Sequence, residues 1–115
     1  MVDFPVVPER TALVNVDMQN CFVEGYPISA PGGPALLDRI NRLAAACRDA
    51  GILVIHTSHV LRPDGSNIGV LSEINPVFKE GIITKGSESA ALHKSHRRVS
   101  VAMNVSCVTA TERAW

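Results

Sequence analysis

The stretch Thr-Ala-Leu-Val-Asn-Val-Asp, residues 11–17, decides the fold because it is an aliphatic and β-branched run, interrupted only by Asn15, that stops at an acid. A run of this length is too short for a helix and is typical of a buried strand. A second apolar run, Ile-Leu-Val-Ile at residues 52–55, follows after a loop and one helical segment. Strand, helix and strand within about forty-five residues form a βαβ unit, which predicts that the two strands are parallel.

The segment between these runs predicts one amphipathic helix from Pro34 to about Gly51. A loop rich in Gly and Pro precedes it at residues 18–34, and Pro34 suits the first helical turn because its missing N–H needs no partner there. Gly51 is a natural C-terminal stop. The apolar residues of this segment recur at helical spacing: Leu36, Ile40, Leu43 and Cys47, with Leu37 and Ala44 widening the stripe.

The remaining elements are shorter. The pattern predicts a polar loop at 58–69, a third strand at 82–85, a short helix at 87–95, a fourth strand at 99–103 and a helix that starts at 107. Residues 70–79 stay open because Pro76 limits any helix there. The predicted fold class is therefore α/β, with a doubly wound, Rossmann-like parallel sheet that carries helices on both faces, in a single domain of residues 1–115.

The composition excludes several classes of partner. The chain has 11 basic and 11 acidic side chains, a formal net charge of zero and 4% aromatic residues, so we expect no nucleic-acid partner. No apolar run reaches the ~18 residues of a membrane span, and the first residues lack the features of a signal peptide, so we expect no membrane partner. Three cysteines without paired spacing are typical of a reduced, cytoplasmic protein. The zero net charge favours a homo-oligomer.

Three chemically distinct side chains come at or just after the ends of predicted strands: Asp17, Lys85 and Cys107. In an open parallel sheet the carboxyl ends of neighbouring strands share one crevice, where ligands bind. An acid, a cation and a thiol in such a crevice can form an activated nucleophile. Taken singly, each residue has a simpler interpretation: a loop cap for the acid, a solvated charge for the lysine and a small buried apolar residue for the cysteine.

Three short motifs occur in order along the chain. Residues 13–20 and Phe22 contain the pattern "D-x-Q-x-x-F", residues 83–86 are followed by Ser-Ala-Ala at 89–91, and residues 107–111 read Cys-Val-Thr-Ala-Thr. In this order they resemble the strand-one block, the lysine strand with its "S-A-F" turn and the "C-V-x-A-T" elbow of the isochorismatase-like cysteine hydrolases. The resemblance covers residues 10–115.

This resemblance implies the doubly wound fold and a catalytic triad of Asp17, Lys85 and Cys107. It implies hydrolysis of a C–N bond in a small-molecule amide or carbamoyl substrate. Members that act on nicotinamide, N-carbamoylsarcosine and ureidoacrylate share this triad, whereas members that act on isochorismate lack the cysteine. The presence of Cys107 therefore favours an amidohydrolase.

The triad suggests a mechanism through a thioester. Lys85 would stabilise the Cys107 thiolate, and Asp17 would accept the thiol proton and pass it to the leaving amine. Backbone N–H groups at Ser106 and Cys107 would form the oxyanion hole. Water activated by Asp17 would then release the acid.

Four further residues are candidates for substrate binding, each with an alternative role. Gln19 either contacts substrate or holds the loop, and Phe22 either lines the pocket or packs in the core. His59 and Arg62 either meet an anionic substrate group or belong to a solvated loop. Cys21 and Cys47 are interpreted as structural, and His93 and His96 as part of an exposed polar segment.

No metal and no cofactor are expected. His56 and His59 are three residues apart at a strand end, where side chains alternate, so they would point in different directions. Nicotinamidase-type members of the family bind their metal through an "Asp-x-His" block near this point, and the sequence lacks that block.

Two departures from the family pattern leave a second interpretation open. Only twenty-one residues separate Lys85 from Cys107, and the sequence ends at Trp115, so the C-terminal part of the family fold is expected to be missing. In addition, Val101 stands where the family usually has Gly, and Asn104 where it often has Thr. The alternative to a hydrolase is a shortened, non-catalytic relative that acts as a binding or assembly module, or an incomplete gene product.

Overall fold

The computed structural model describes residues 4–96, so the predicted fourth strand, Ser106 and Cys107 lie outside the described residues. The elements are β1 (Ala12–Asn15), α1 (Asn20–Val23), α2 (Gly33–Asp49), β2 (Leu53–His56) and α3 (Leu71–Ile74), with 3-10 turns at Pro8–Arg10 and Pro76–Glu80. None of the helices within this part of the chain has the length and apolar composition that crossing a membrane requires.

The predicted βαβ unit is confirmed. Strands β1 and β2 pair in parallel, with Ala12 opposite Leu53 and Asn15 opposite His56. Helix α2 connects them and ends where the sequence predicts, with Ala50 as its C-cap and Gly51 in the left-handed region at φ 77°. That conformation costs glycine little, and it lets the chain turn directly into β2.

Helix α2 buries only one side of the stripe that apolar spacing predicted. Leu37 and Ala44 are 2% exposed, whereas Leu36 and Leu43 are 48% and 53% exposed. Asn41, which is partly buried, also lies on this side of the helix, and its side chain hydrogen-bonds to the segment 95–96. The helix is therefore oriented so that the polar Asn41 faces the segment 95–96, because its side chain finds hydrogen-bond partners there.

The two strands bury alternate residues, as expected for a sheet with one covered face. Asn15, Val54 and His56 are buried, whereas Val14 and Leu53 are 49% and 50% exposed. Among residues 4–96, helix α2 covers the first set. The opposite face carries apolar side chains that no other described element covers.

The predicted third strand is reduced to one bridge. Leu61 pairs in parallel with Thr84, since the Leu61 N–H donates to the Ile83 carbonyl and the Lys85 N–H donates to the Leu61 carbonyl. Gly81 and Gly86 have φ of 85° and 89° and enclose this segment in turns, so the pairing extends no further. The short helix predicted at 87–95 was wrong: these residues form consecutive turns. A helical turn, α1, lies within the predicted loop at 18–34.

The apolar core lies beyond the carboxyl ends of the strands. It consists of Cys21, Leu61, Ile82 and Ile83, with Phe22, Tyr26, Ile28, Ile68, Leu71, Val77 and Phe78 packed against it. The run at 82–83 is thus buried as predicted, although it is not a regular strand. This core fixes the loops that surround the candidate site.

Candidate active site

Asp17 lies two residues beyond the end of β1 in a conformation that is unusual for its type. Its φ is 55°, and it is the one non-glycine residue with positive φ in the described part of the chain. Aspartate tolerates the left-handed region better than most residues, but the conformation still costs about 1–3 kcal/mol. Strain of this size persists only where neighbouring contacts enforce it.

Thr57, the first residue after β2, provides those contacts. Its Oγ1 donates to Asp17 Oδ1 at 2.8 Å and accepts from the Asp17 N–H at 3.2 Å. The Thr57 N–H donates to the Asn15 carbonyl at 3.0 Å, which continues the β1–β2 pairing by one residue. The sequence pattern indicated a functional role for Asp17 but not for Thr57, although each is the first polar residue beyond its strand.

Asp17 opens onto an apolar cavity of about 220 Å³. Among residues 4–96, the walls come from the end of β1, from α1 and from the start of α2, and Asp17 is the one ionisable side chain that these residues contribute. The lining residues are Val16, Asp17, Met18, Phe22, Val23, Ala30, Gly33 and Leu36. Phe22 thus lines the cavity and also packs against the core, so both of its expected roles are compatible with the structure.

Gln19 is fully buried and its amide group is occupied by backbone. Nε2 donates to the carbonyls of His59 at 3.0 Å and Ala90 at 2.7 Å, and Oε1 accepts from the His59 N–H at 2.7 Å. Gln19 is not among the residues that line the cavity. The geometry favours the second of its two expected roles, which is to hold the loops together.

The second motif lies directly against the first. Gln19 and Leu92 form an antiparallel bridge, the Cys21 N–H donates to the Ser89 carbonyl, and the Asn20 N–H donates to the Ala91 carbonyl. The Ser-Ala-Ala turn at 89–91 is therefore joined by backbone hydrogen bonds to the residues that follow Asp17. Motifs some seventy residues apart in the sequence meet at the carboxyl edge of the sheet, as the resemblance implies.

Lys85 is exposed, and within residues 4–96 it forms no ion pair with Asp17. Its backbone is fixed by the bridge to Leu61, so the position of its Cα is set while its ammonium group remains in solvent. The third member of the predicted triad, Cys107, and the Ser106 N–H lie outside the described residues.

The two candidates for anion recognition lie outside the cavity walls. Arg62 is exposed and starts a turn in which Asn67 accepts from its N–H at 2.7 Å. His59 is partly buried, and both of its backbone groups are bonded to Gln19. The arrangement favours the loop interpretation of both residues.

A buried polar cluster lies between α2 and the sheet; we call His56, His96, Asn15 and Asn41 the histidine cluster. Asn41 donates through Nδ2 to the Ser95 carbonyl, so its Oδ1 is the acceptor for His96 Nδ1–H at 2.9 Å. The Nε2 lone pair of neutral His96 then faces His56 Nδ1. The pKa of His96 is lowered to about 4, mainly by burial and further by the nearby charges of His56, Arg48 and His93.

The prediction that His93 and His96 are exposed was wrong. They are 6% and 4% exposed. His93 accepts from the Ser95 N–H through Nδ1, so its Nε2–H donates to Glu24 at 3.0 Å. Their hydrogen-bond partners lie on α2, β2 and the loop after α1, which local composition does not reveal.

The residues present do not form a metal site in the described part of the chain. No group of three or more His, Cys, Asp or Glu side chains converges among residues 4–96. His56 Nδ1 is bonded to His96 and also contacts Asn15 Nδ2 at 3.4 Å.

The described cysteines have the environment of structural residues. Cys21 is fully buried in the core, and this burial raises the pKa of its thiol to about 11. A thiol with so high a pKa stays protonated at neutral pH and is a poor nucleophile. Cys47 is partly buried on α2.

Comparison with known proteins identifies the family. The model of the isochorismatase domain matches residues 11–103, so the chain belongs to the isochorismatase family. Over 61 residues the chain is 30% identical to an N-carbamoylsarcosine amidase from Arthrobacter sp., which corresponds to 52% of this chain and 23% of the amidase.

Solved structures agree on the α/β fold with a parallel sheet. A cysteine hydrolase from Pseudomonas syringae pv. phaseolicola 1448A matches with a TM-score of 0.79 and 26% identity over 90% of this chain. An isochorismatase family protein from Desulfovibrio vulgaris subsp. vulgaris str. Hildenborough matches with a TM-score of 0.70 and 30% identity over 82% of this chain. The chain spans 48% and 50% of these two proteins.

A more distant structural match supports the fold alone. The pyrazinamidase of Pyrococcus horikoshii, solved in complex with zinc, gives a TM-score of 0.60 at 20% identity, with 91% of this chain and 55% of that protein covered. The predicted fold class and family resemblance are both confirmed by these matches.

Proposed function

We propose that the chain hydrolyses a C–N bond of a small amide or carbamoyl compound through a thioester on Cys107. The observation that carries this proposal is the setting of Asp17. One carboxylate oxygen is held by Thr57 at 2.8 Å, and the side chain lines an apolar cavity of about 220 Å³ at the carboxyl edge of the sheet. A cavity of this size suits a substrate of few heavy atoms.

Family membership and the match to an amidase that acts on an N-carbamoyl compound support the same class of reaction. In the proposed first step, Asp17 accepts the Cys107 thiol proton as the sulfur attacks the substrate carbonyl carbon. The resulting oxyanion is received by the N–H groups of Ser106 and Cys107. Lys85 stabilises the negative charge on the sulfur as its proton leaves.

The intermediate then collapses to a thioester. The C–N bond breaks and the proton held by Asp17 passes to the leaving amine. Water, deprotonated by Asp17, attacks the thioester carbonyl, and the sulfur leaves as the thiolate. The products are the amine and the acid (carbamic acid for a carbamoyl substrate), and transfer of the proton from Asp17 to the thiolate returns the enzyme to its starting state.

The proposal is tested with the purified 115-residue chain and a panel of N-carbamoyl amino acids, ureides and small primary amides, with amine or ammonia release as the signal. Asp17→Asn is expected to lower kcat/KM by roughly 10²–10⁴ because it removes the proton acceptor. Cys107→Ala is expected to abolish turnover, and acid-quenched wild-type protein should carry an acyl mass on Cys107.

Two matched controls separate chemistry from folding. Asp38→Asn changes an exposed carboxylate on α2 that pairs with Arg42, and Cys47→Ser changes a thiol on the same helix. Both variants should retain wild-type rates. Full activity in Cys107→Ala would rule out the thioester route.

A folded but inactive wild-type chain across the whole panel would favour the binding or assembly module instead. One observation favours this alternative: Lys85 is exposed and has no carboxylate partner in the described part of the chain.

A further inference from the structure

We infer that Thr57 is the positioning residue for Asp17, fixing both its strained backbone and the direction of its carboxylate. This inference rests on the proposed function, because it assigns Thr57 a part in the same proton transfer. Two hydrogen bonds support it, both between Thr57 and Asp17, which are 40 positions apart in the sequence.

The bonding pattern of the hydroxyl fixes its direction. A threonine hydroxyl has one hydrogen and two lone pairs. Because the Asp17 N–H donates to Oγ1, that interaction uses a lone pair, and the single hydrogen is left to donate to Asp17 Oδ1. Thr57 therefore binds the main chain and the side chain of the same residue through one oxygen atom.

This double contact accounts for the left-handed conformation of Asp17. A parallel ladder continued past Asn15 would pair the Asp17 N–H with backbone beyond β2, but at φ 55° Asp17 is not in an extended conformation. The Asp17 N–H then loses any backbone partner in the sheet, and Oγ1 of Thr57 takes that place. Thr57 is itself anchored, since its N–H donates to the Asn15 carbonyl.

The consequence for chemistry lies in the second carboxylate oxygen. With Oδ1 engaged by Thr57, Oδ2 has no hydrogen-bond partner among the described residues. An acceptor held at one oxygen and open at the other can receive a proton from a defined direction. Loss of the hydroxyl would let the carboxylate rotate, and small misplacements of a reacting group cost up to roughly 10²-fold in rate.

The test compares Thr57→Val, which keeps the branched shape without the hydroxyl, with Thr57→Ser, which keeps the hydroxyl. For Thr57→Val, kcat is expected to fall by roughly tenfold to a hundredfold while KM changes by less than about threefold, because substrate binding is left intact. Thr57→Ser should restore most of kcat. If Thr57→Val does not fold, Thr57→Ala is measured in its place.

Thr11→Val is the matched control, because the Thr11 hydroxyl also makes one short hydrogen bond, to the Val7 carbonyl at 2.7 Å, at the opposite end of β1. It should leave kcat unchanged. A readout independent of turnover is amide hydrogen exchange at Asp17, which should speed up in Thr57→Val and not in Thr57→Ser or Thr11→Val.

The outcomes separate the two claims. If Asp17→Asn abolishes turnover while Thr57→Val keeps wild-type kcat, the positioning role of Thr57 is wrong and the proposed function stands. If wild-type protein is inactive, or Asp17→Asn is fully active, the proposed function fails. Unchanged exchange at Asp17 in Thr57→Val overturns the inference in either case.

Discussion

At the scale of single residues, the structure distinguishes groups that face the candidate cavity from groups that maintain its walls. Asp17 and Phe22 line the cavity, whereas Gln19, two residues further along, is 0% exposed and bonded only to backbone. A buried amide with three hydrogen bonds stabilises the fold. Removing it is costly, because each former partner is left buried without a hydrogen bond to protein or to water.

Substitution of Gln19 tests this assignment. Gln19→Leu should lower the free energy of unfolding by about 2–4 kcal/mol, since it leaves two carbonyls and one N–H without partners. Gln19→Glu should cost at least as much, because a carboxylate would face the carbonyls of His59 and Ala90. Urea unfolding followed by circular dichroism measures both.

Asn20→Ala is the control for Gln19. Its Nδ2 donates to the Glu88 carbonyl at 2.7 Å, but the bond is exposed, so its loss should cost about 1 kcal/mol or less. Equal destabilisation by Gln19→Leu and Asn20→Ala would contradict the claim that burial makes the hydrogen bonds of Gln19 more stabilising than the exposed bond of Asn20.

At the scale of elements, the junction between α1 and α2 shapes one wall of the cavity. Gly33, the first residue of α2, lies so close to the end of α1 that a Cβ on it would be 2.0 Å from the Val23 carbonyl oxygen. Both residues line the cavity. Glycine is required here by close approach of two backbones.

Gly33→Ala should therefore lower the free energy of unfolding by about 1–3 kcal/mol, the usual cost of forcing backbone apart in a packed region. It should also enlarge or distort the cavity and so raise KM for any substrate that binds there. Thermal and urea unfolding measure the first effect, and steady-state kinetics the second.

Ala35→Gly, an exposed change in the same turn of α2, provides the comparison and should cost about 1 kcal/mol or less. A Gly33→Ala protein as stable as wild type would show that α1 and α2 do not meet as closely as described.

At the scale of the whole molecule, the layer between α2 and the sheet is partly polar, and it ties the segment 93–96 to the βαβ unit. The histidine cluster connects β1, β2, α2 and that segment. With His96 neutral, its Nε2 lone pair accepts from His56 Nδ1–H, and protonation of Nε2 would remove this acceptor. Burial also lowers the pKa of His56.

This bonding predicts that stability depends on pH in a definite direction. In the unfolded chain His96 takes up a proton near its ordinary pKa of 6.5, whereas in the folded protein it does so only near 4. The unfolded state thus binds more protons between these values, so the contribution is present above about pH 6.5 and is lost as the pH falls toward 4. Its size is roughly 2 kcal/mol.

Urea midpoints measured at pH 8, 6 and 5 test this expectation. His96→Gln should be less stable than wild type at pH 8 and should lose less stability on acidification. His59→Gln, a change in a loop outside the cluster, should keep the wild-type pH dependence. An identical slope in His96→Gln and wild type would show that the cluster does not sense pH.

The sequence by itself predicted one strand within residues 11–17, another near 52–55, a helix between them and the parallel pairing of the strands, because apolar runs, periodicity and connection length can be read along the chain. It also placed Asp17 at the carboxyl edge and identified the family. It overestimated the regularity of 82–95, where glycines with positive φ and turns replace strand and helix.

Only the tertiary structure decided which face of α2 is buried and that Gln19 hydrogen-bonds two loops together. It alone also showed that His93 and His96 are buried and that Thr57 holds Asp17. The physical reason is that each of these roles depends on polar partners far away along the chain, 40 residues for Thr57 and Asp17, 71 for Gln19 and Ala90, and 55 for Asn41 and His96. A hydrogen bond between such residues leaves no periodic trace in the sequence. It forms because folding brings one acceptor and one donor together where water is excluded.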